Sequence, residues 1–224
     1  MADPLPQLIR AGLRAAADPD RAPKMQAYMK SAMPYLGVPV PTVRAITRAV
    51  SDRHPFADQA ELVAAVRTLW DAAEFREERY AATALCDTRS ARTVRTIKLL
   101  PLYQGLIRSG AWWDHVDVLA HRIGELLLAA PNAVGPALRN WAGDPDRWLR
   151  RVSIIAQLGH KQRTDRALLT YAIEANSADH DFFVRKAIGW ALREYARTDP
   201  DWVRDFVARH ELSPLSRREA LKHL

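Results

Sequence analysis

GDPDRWLRRV, Gly143 to Val152, comes back in altered form as TDPDWVRDFV, Thr198 to Val207. Each opens on Asp-Pro-Asp, continues into tryptophan and places a basic residue close behind it. An aspartate followed by proline marks a helix start. The carboxylate satisfies free backbone N–H groups of the first turn, and proline there gives up an N–H that has no helical partner. Similar punctuation recurs at Asp18-Pro19, Pro39 and Pro41, His54-Pro55, Ser109-Gly110, Ala130-Pro131 and Ser213-Pro214. Ser216-Arg217-Arg218-Glu219 reads as a capping box for a last helix. Between these marks apolar residues recur at helical spacing, and no sustained strand alternation or Asn-Gly or Asp-Gly hairpin turn interrupts them.

The pattern predicts an all-α fold of about a dozen short antiparallel helices. A four-helix bundle needs fewer and longer helices. A superhelix, or solenoid, of HEAT-like antiparallel helix pairs, about 40 residues per unit, fits the spacing better. Such an array presents a concave face, expected here to be basic. Residues 1–224 read as a single HEAT-like domain.

With 224 residues, 48% of them hydrophobic, the chain can bury a sizeable core. The N-terminal stretch MADPLPQLIRAGLRAAADPD carries no apolar run of signal-peptide length, and nothing later approaches the roughly 18 apolar residues of a membrane span. The expected protein is soluble, cytoplasmic and without a membrane partner. A lone cysteine, Cys86, excludes an intrachain disulfide framework or a cysteine-built zinc site and reads as a small buried hydrophobe. Net charge is +7 and the pI near 9.8, which favours a polyanionic partner. From Arg147 to Leu224 the chain holds 15 Lys and Arg against 10 Asp and Glu, so the basic excess lies mainly in the C-terminal third.

Three helices carry the residues with chemistry in them. In GAWWDHVDVLA, Gly110 to Ala120, successive residues fall about 100° apart around the axis. Val116, Leu119, Ala120, Ile123 and Leu127 form the core stripe. Trp112 lies on one shoulder of it, Trp113 and Asp117 share the other, and Asp114 points away. An indole and a carboxylate at a core edge are a packing residue with an ion-pairing neighbour, or the makings of a site.

In DFFVRKAIGWALREYARTD, Asp181 to Asp199, the core stripe is Val184, Ala187, Ile188, Ala191 and Tyr195. The opposite face holds Trp190 among Lys186, Arg193 and Arg197, with Phe183 close by. Either another helix covers Trp190 or that face binds something anionic and flat. Aromatics interleaved with cations suit nucleic acid, the cations for phosphates and the rings for bases or sugars.

In DRWLRRVSIIAQLGHKQR, Asp146 to Arg163, the core stripe is Trp148, Leu149, Val152, Ile155, Ala156 and Gly159, with Arg150 and Gln157 outward. Arg151 falls between Ile155 and Leu158, where a guanidinium needs an anion: a carboxylate such as Asp117, or a phosphate. Lys161 and Arg163 extend the basic character beyond the helix. The seven histidines are scattered, no HExxH occurs, and no GxSxG, Walker or GxGxxG motif is present. The tools left to an enzyme are carboxylate, aromatic and cation, and no metal or cofactor is expected.

Several separated segments resemble the AlkD-like DNA alkylation-repair glycosylases, a family built from HEAT-like repeats. They are AYMKSAMPYLGVPVP (Ala27 to Pro41), LWDAAEFREERYAA (Leu69 to Ala82), WWDHVD (Trp112 to Asp117), RWLRRVSIIAQL (Arg147 to Leu158), FFVRKAIGWALREYARTDPDWV (Phe182 to Val203) and LSPLSRREALKHL (Leu212 to Leu224). The resemblance implies that Trp113 and Asp117 are catalytic-site residues and that Trp190 is a second aromatic wall. It places Arg151 beside them in contact with DNA, and Tyr28 near the lesion. It also implies removal of positively charged N3- and N7-alkylated purines from duplex DNA, leaving an abasic site, without the base being swung fully into a deep pocket. This chain departs from the family at Gly159, where some members carry a basic residue. Counting basic and aromatic neighbours, the expected DNA-binding set is Arg151, Tyr28, Lys30, Lys161, Phe182, Phe183, Lys186 and Arg193.

The expected function is therefore a monomeric, monofunctional DNA glycosylase acting on alkylated double-stranded DNA. Two other readings use the same fold and charge: a non-enzymatic scaffold that binds damaged or structured DNA, and a protein-binding adaptor. The scaffold needs no carboxylate beside an aromatic cleft, and the adaptor leaves Trp190 among its cations unexplained.

Overall fold

The computed structural model describes residues 4–224; Met1 to Asp3, the start of the stretch read above for a targeting signal, lie outside them. Among the described residues there are fourteen α-helices, two short 3-10 segments and no strand. None of the helices is long and apolar enough to cross a membrane. The chain folds as two compact units, one ending at Leu99 and the other running from Leu100 to Leu224.

The first unit contains α1 (Pro4–Ala15), α2 (Ala22–Met29), α3 (Val40–Arg53), α4 (Gln59–Asp71), α5 (Arg76–Leu85) and α6 (Arg89–Val94). In it α5 packs against α1, α3 and α4. Glu77 on α5 is fully buried, and its carboxylate accepts the backbone N–H groups of Leu36, Gly37 and Val38 at 3.0, 2.9 and 3.1 Å. A buried anion held by three donors fixes the link between α2 and α3. Its neighbour Glu78 takes a hydrogen bond from Arg10 Nε at 3.0 Å, tying α1 to α5.

The second unit contains α7 (Leu100–Gly110), α8 (Trp113–Ala129), α9 (Pro131–Ala142), α10 (Arg147–Ile155), α11 (Arg166–Glu174), α12 (Phe182–Tyr195), α13 (Pro200–Arg209) and α14 (Pro214–Ala220). Alternate helices are neighbours here: α8 packs on α10, α10 on α12 and α12 on α14, while α9 packs on α11. That is helical-repeat packing, with one layer of α8, α10, α12 and α14. The expected core stripes of α8 and α12 are buried throughout. Each large aliphatic side chain in them contributes about 1.5–3 kcal/mol by leaving water.

The structural repeat is not the one that Asp-Pro-Asp announces. In the first copy the second aspartate, Asp146, is the N-cap, whereas in the second copy the first aspartate, Asp199, is. The true counterpart of 144–152 is 179–187, DHDFFVRKA. Asp144 and Asp179 each accept the N–H two residues on, from Asp146 and Asp181, at 2.8 Å. Asp146 and Asp181 in turn accept from Trp148 and Phe183, again at 2.8 Å. Each such cap is worth about 1 kcal/mol. Arginines reach across to these corners: Arg108 to Asp144 at 2.8 Å, Arg147 to Asp181 at 3.0 Å and Arg150 to Asp179 at 3.0 Å.

Two expectations for the chain after α10 fail for one reason. The helix ends at Ile155, well before Arg163, and the chain then turns back through Gly159 at φ 81° and Lys161 at φ 54° into a 3-10 turn, Lys161–Arg163. Gly159 is therefore exposed rather than core. Gln157 is buried rather than outward, and spans the turn by accepting Asp165 N–H at 2.7 Å and donating to Asp165 O at 3.0 Å. At the far end, α14 begins three residues before the expected capping box. Ser213 is its N-cap and accepts Ser216 N–H at 3.1 Å. That frees Glu219 from capping.

Candidate active site

Asp117, Arg151 and Lys186 hold the same place in three helices of one layer, the fifth residue after the N-caps Trp112, Asp146 and Asp181. Asp117 and Arg151 meet. Arg151 Nε donates to Asp117 Oδ1 at 2.7 Å and Nη2 to Oδ2 at 2.8 Å, a bidentate pair. The third arm, Nη1, donates to the Phe183 carbonyl at 2.7 Å. In this structure the anion that Arg151 needs is a carboxylate. Its side chain is 5% exposed against 18% for Asp117, so the guanidinium is the more deeply buried of the two and the carboxylate the more accessible. The close approach of α8 and α10 depends on Gly124, where a Cβ would stand 2.1 Å from Ala156 O.

Trp190 comes to this pair from α12, its ring centroid 5.8 Å from the Arg151 guanidinium carbon. A cation at that distance from an indole is attracted to it. Trp113 is the first residue of α8, one turn before Asp117, and half-buried. Trp112, the N-cap in extended backbone rather than a helical residue, is packed all the same: its ring lies 6.0 Å from Trp148 and 5.5 Å from Phe183. Trp148 and Phe183 are themselves 4.9 Å apart. This aromatic group joins the starts of α8, α10 and α12 and so frames the Phe183 carbonyl that holds Arg151. Phe182 stacks edge-on against Phe183 at 5.4 Å and is 54% exposed.

The cations around Trp190 are not free. Lys186 Nζ lies 2.8 Å from Glu219 Oε1, and Arg193 Nη1 is hydrogen-bonded to Glu219 Oε2. Arg197, just past the end of α12, pairs with Glu194 at 3.3 Å. The Lys186 hydrogen bond holds the Glu219 carboxyl below its ordinary value, with Arg193 adding to the effect and burial opposing it. The sequence spacing located both cations and missed their anion, because Glu219 read as a helix cap. Its signal was Ser213-Pro214, three residues before Ser216, which fixes where the last helix starts. Helix α14 thus packs on α12 beside Lys186 and Arg193, while Trp190 itself stays half-buried.

Of the remaining expected DNA-binding residues, Lys161 is exposed on the turn after α10. Behind it, His160 is buried against Gly124, and burial, reinforced by Arg163, lowers its pKa from the usual 6.5. Tyr28 and Lys30 belong to the first unit. Tyr28 is exposed on the last turn of α2, and Lys30 is its left-handed C-cap at φ 51°.

Residues 9–224 match the family model described as DNA alkylation repair enzyme. The chain belongs to that family. It is also similar to a solved structure described as a predicted DNA alkylation repair enzyme from Enterococcus faecalis. The two share 30% identity with a TM-score of 0.83, over 93% of this chain and 96% of that one. No curated protein matches the chain.

Proposed function

We propose that this member of the DNA alkylation repair family is a monofunctional glycosylase that hydrolyses the N-glycosidic bond of positively charged alkylated purines in duplex DNA. The products are the free base and an abasic site. One observation carries the reading: a partly exposed carboxylate, Asp117, fixed by a buried guanidinium beside the Trp190 indole.

The chemistry needs little else. Alkylation at N7 or N3 charges the purine, so it leaves as a neutral base without a strong general acid. As the bond breaks, positive charge moves from the base to the deoxyribose, which gains oxocarbenium character. A carboxylate lowers the barrier only if it is nearer the sugar than the base, so its orientation matters more than its presence. At about 4 Å and an effective dielectric near 20, that attraction is worth about 4 kcal/mol, roughly a thousandfold in rate. Asp117 also orients the water that adds to C1′ and takes up its proton. Arg151, with each of its three guanidinium nitrogens engaged inside the protein, serves by holding Asp117. Trp113 and Trp190 flank the cationic nucleotide, at about 0.5–2 kcal/mol per contact. Tyr28, Lys30, Lys161, Phe182, Phe183, Lys186 and Arg193 contact the duplex, the cations through phosphates.

The test is base release from uniformly methylated duplex DNA by the purified protein without added metal, resolved by chromatography. Free 7-methylguanine or 3-methyladenine is expected. Tight binding with neither base released would replace the glycosylase with a DNA-binding scaffold.

A further inference from the structure

Helix α14 comes close against α12 at Gly189. A Cβ on Gly189 would stand 2.4 Å from the Glu219 Cβ and 2.8 Å from Ser216 O, so any other residue there would push the two helices apart. Ser216 is buried and its hydroxyl donates to Arg185 O at 2.8 Å, which fixes the register of the contact. That register brings Glu219 between Lys186 and Arg193, which lie seven residues apart on α12 with Trp190 between them. The carboxylate is well shielded at 12% exposure, while Lys186 remains 38% and Arg193 23% exposed. Each cation therefore keeps donors for an outside anion while one donor is spent on Glu219.

We infer that Glu219 is a positioning residue of the Trp190 face: held between Lys186 and Arg193, it fixes a cation on each side of the indole and cancels one of their two charges. The face then meets a DNA phosphate as a preset clamp of single net charge. Without the carboxylate the two long side chains repel and sample many rotamers, whose entropy is lost when DNA binds. With it, that ordering is complete before the encounter, and attraction for undamaged DNA is held down. The inference rests on the DNA-binding reading above.

Glu219→Gln keeps the shape and one acceptor while removing the charge. Expected are a thermal melt close to wild type, binding to undamaged duplex several-fold tighter at low salt, and a log–log salt slope steeper by roughly one. Single-turnover base release should fall roughly tenfold, because the indole loses its fixed flanks. Glu219→Asp restores the charge and should return the salt slope to the wild-type value. A purely structural Glu219 predicts instead that melting, binding and release fall together with the slope unchanged. That result, or a Gln variant indistinguishable from wild type in slope, overturns the inference. Absence of base release from every form, wild type included, would refute the glycosylase reading alone, and the salt slope would still decide for or against Glu219.

Discussion

Arg151 on α10 and Lys186 on α12 stand at the same position of neighbouring helices, and they are wired in opposite directions. Arg151 reaches back to the carboxylate of α8, Lys186 forward to the carboxylate of α14. Arg151 is 5% exposed and spends all three arms inside the protein, whereas Lys186 is 38% exposed and spends one contact. A planar guanidinium matches two carboxylate oxygens and a carbonyl at once, and an ammonium on a flexible stem does not. The repeat thus supplies one address, and the residue type decides whether it becomes a rigid internal brace or an outward-facing cation.

The largest effect that would break this contrast lies at Asp117. Asp117→Asn removes the charge that Arg151 braces, and single-turnover base release should drop by roughly 100- to 1,000-fold. Binding to undamaged duplex should change far less. Because a buried guanidinium loses its counter-charge, stability should also fall by about 1–3 kcal/mol, measurable in denaturant. Equal losses in binding and release would make Asp117 a structural residue.

Arg151→Lys keeps the charge and removes the fork. Only one of the three hydrogen bonds can be kept, so release should fall roughly 10- to 100-fold and the melting temperature should drop. The salt slope of binding should stay at the wild-type value, since no charge is lost. A flatter slope would mean that Arg151 meets a phosphate, contrary to its role as a brace.

Lys186→Ala makes the opposite bargain. The clamp loses its single net charge, so binding should weaken several-fold and the salt slope should flatten by roughly one. Base release at saturating protein should also fall, by roughly tenfold, because one of the two fixed flanks of the indole is gone. If instead release collapses while the slope holds, the brace and the cation have been assigned to the wrong helices.

Helical periodicity made the two stripes of α8 and α12 and the shared edge of Trp113 and Asp117 legible, because angle around a helix follows from spacing alone. It also narrowed Arg151 to two kinds of anion. Which of them it meets depends on how α8 and α10 pack, and that is set by Gly124, whose missing side chain leaves no periodic mark. Glu219 was hidden by a boundary: starting α14 at Ser216 makes it a cap, and starting it at Pro214 makes it the partner of Lys186 and Arg193. Gln157 and Gly159 fall elsewhere than the stripe implies because α10 ends at Ile155 and the chain passes into a turn that reaches positive φ at Gly159 and Lys161. The Asp-Pro-Asp echo drew the eye to helices of different surroundings, while the true repeat, DRWLRR against DFFVRK, keeps its caps and changes its aromatics.

The turn after α10 offers the smallest and most local test. His160 is buried against Gly124, and burial first, then the Arg163 charge, hold it below the ordinary histidine value of 6.5, while a hydrogen bond to the Gly124 backbone opposes them. It is therefore neutral in the fold at a pH where the unfolded chain already binds a proton. The unfolded state takes up more protons as pH falls through 6.5, so the stability tied to His160 is complete above that value and is lost below it. Melting temperature should accordingly decline between about pH 7.5 and 5.5 by a few degrees at most. His160→Gln keeps a donor for Gly124 without a titrating ring, and its decline over the same range should be shallower. Parallel pH profiles for the two proteins would show that His160 does not couple this turn to protons. A shallower one would tie the placement of Lys161, next to it at positive φ, to a buried neutral ring rather than to solvent-exposed chain.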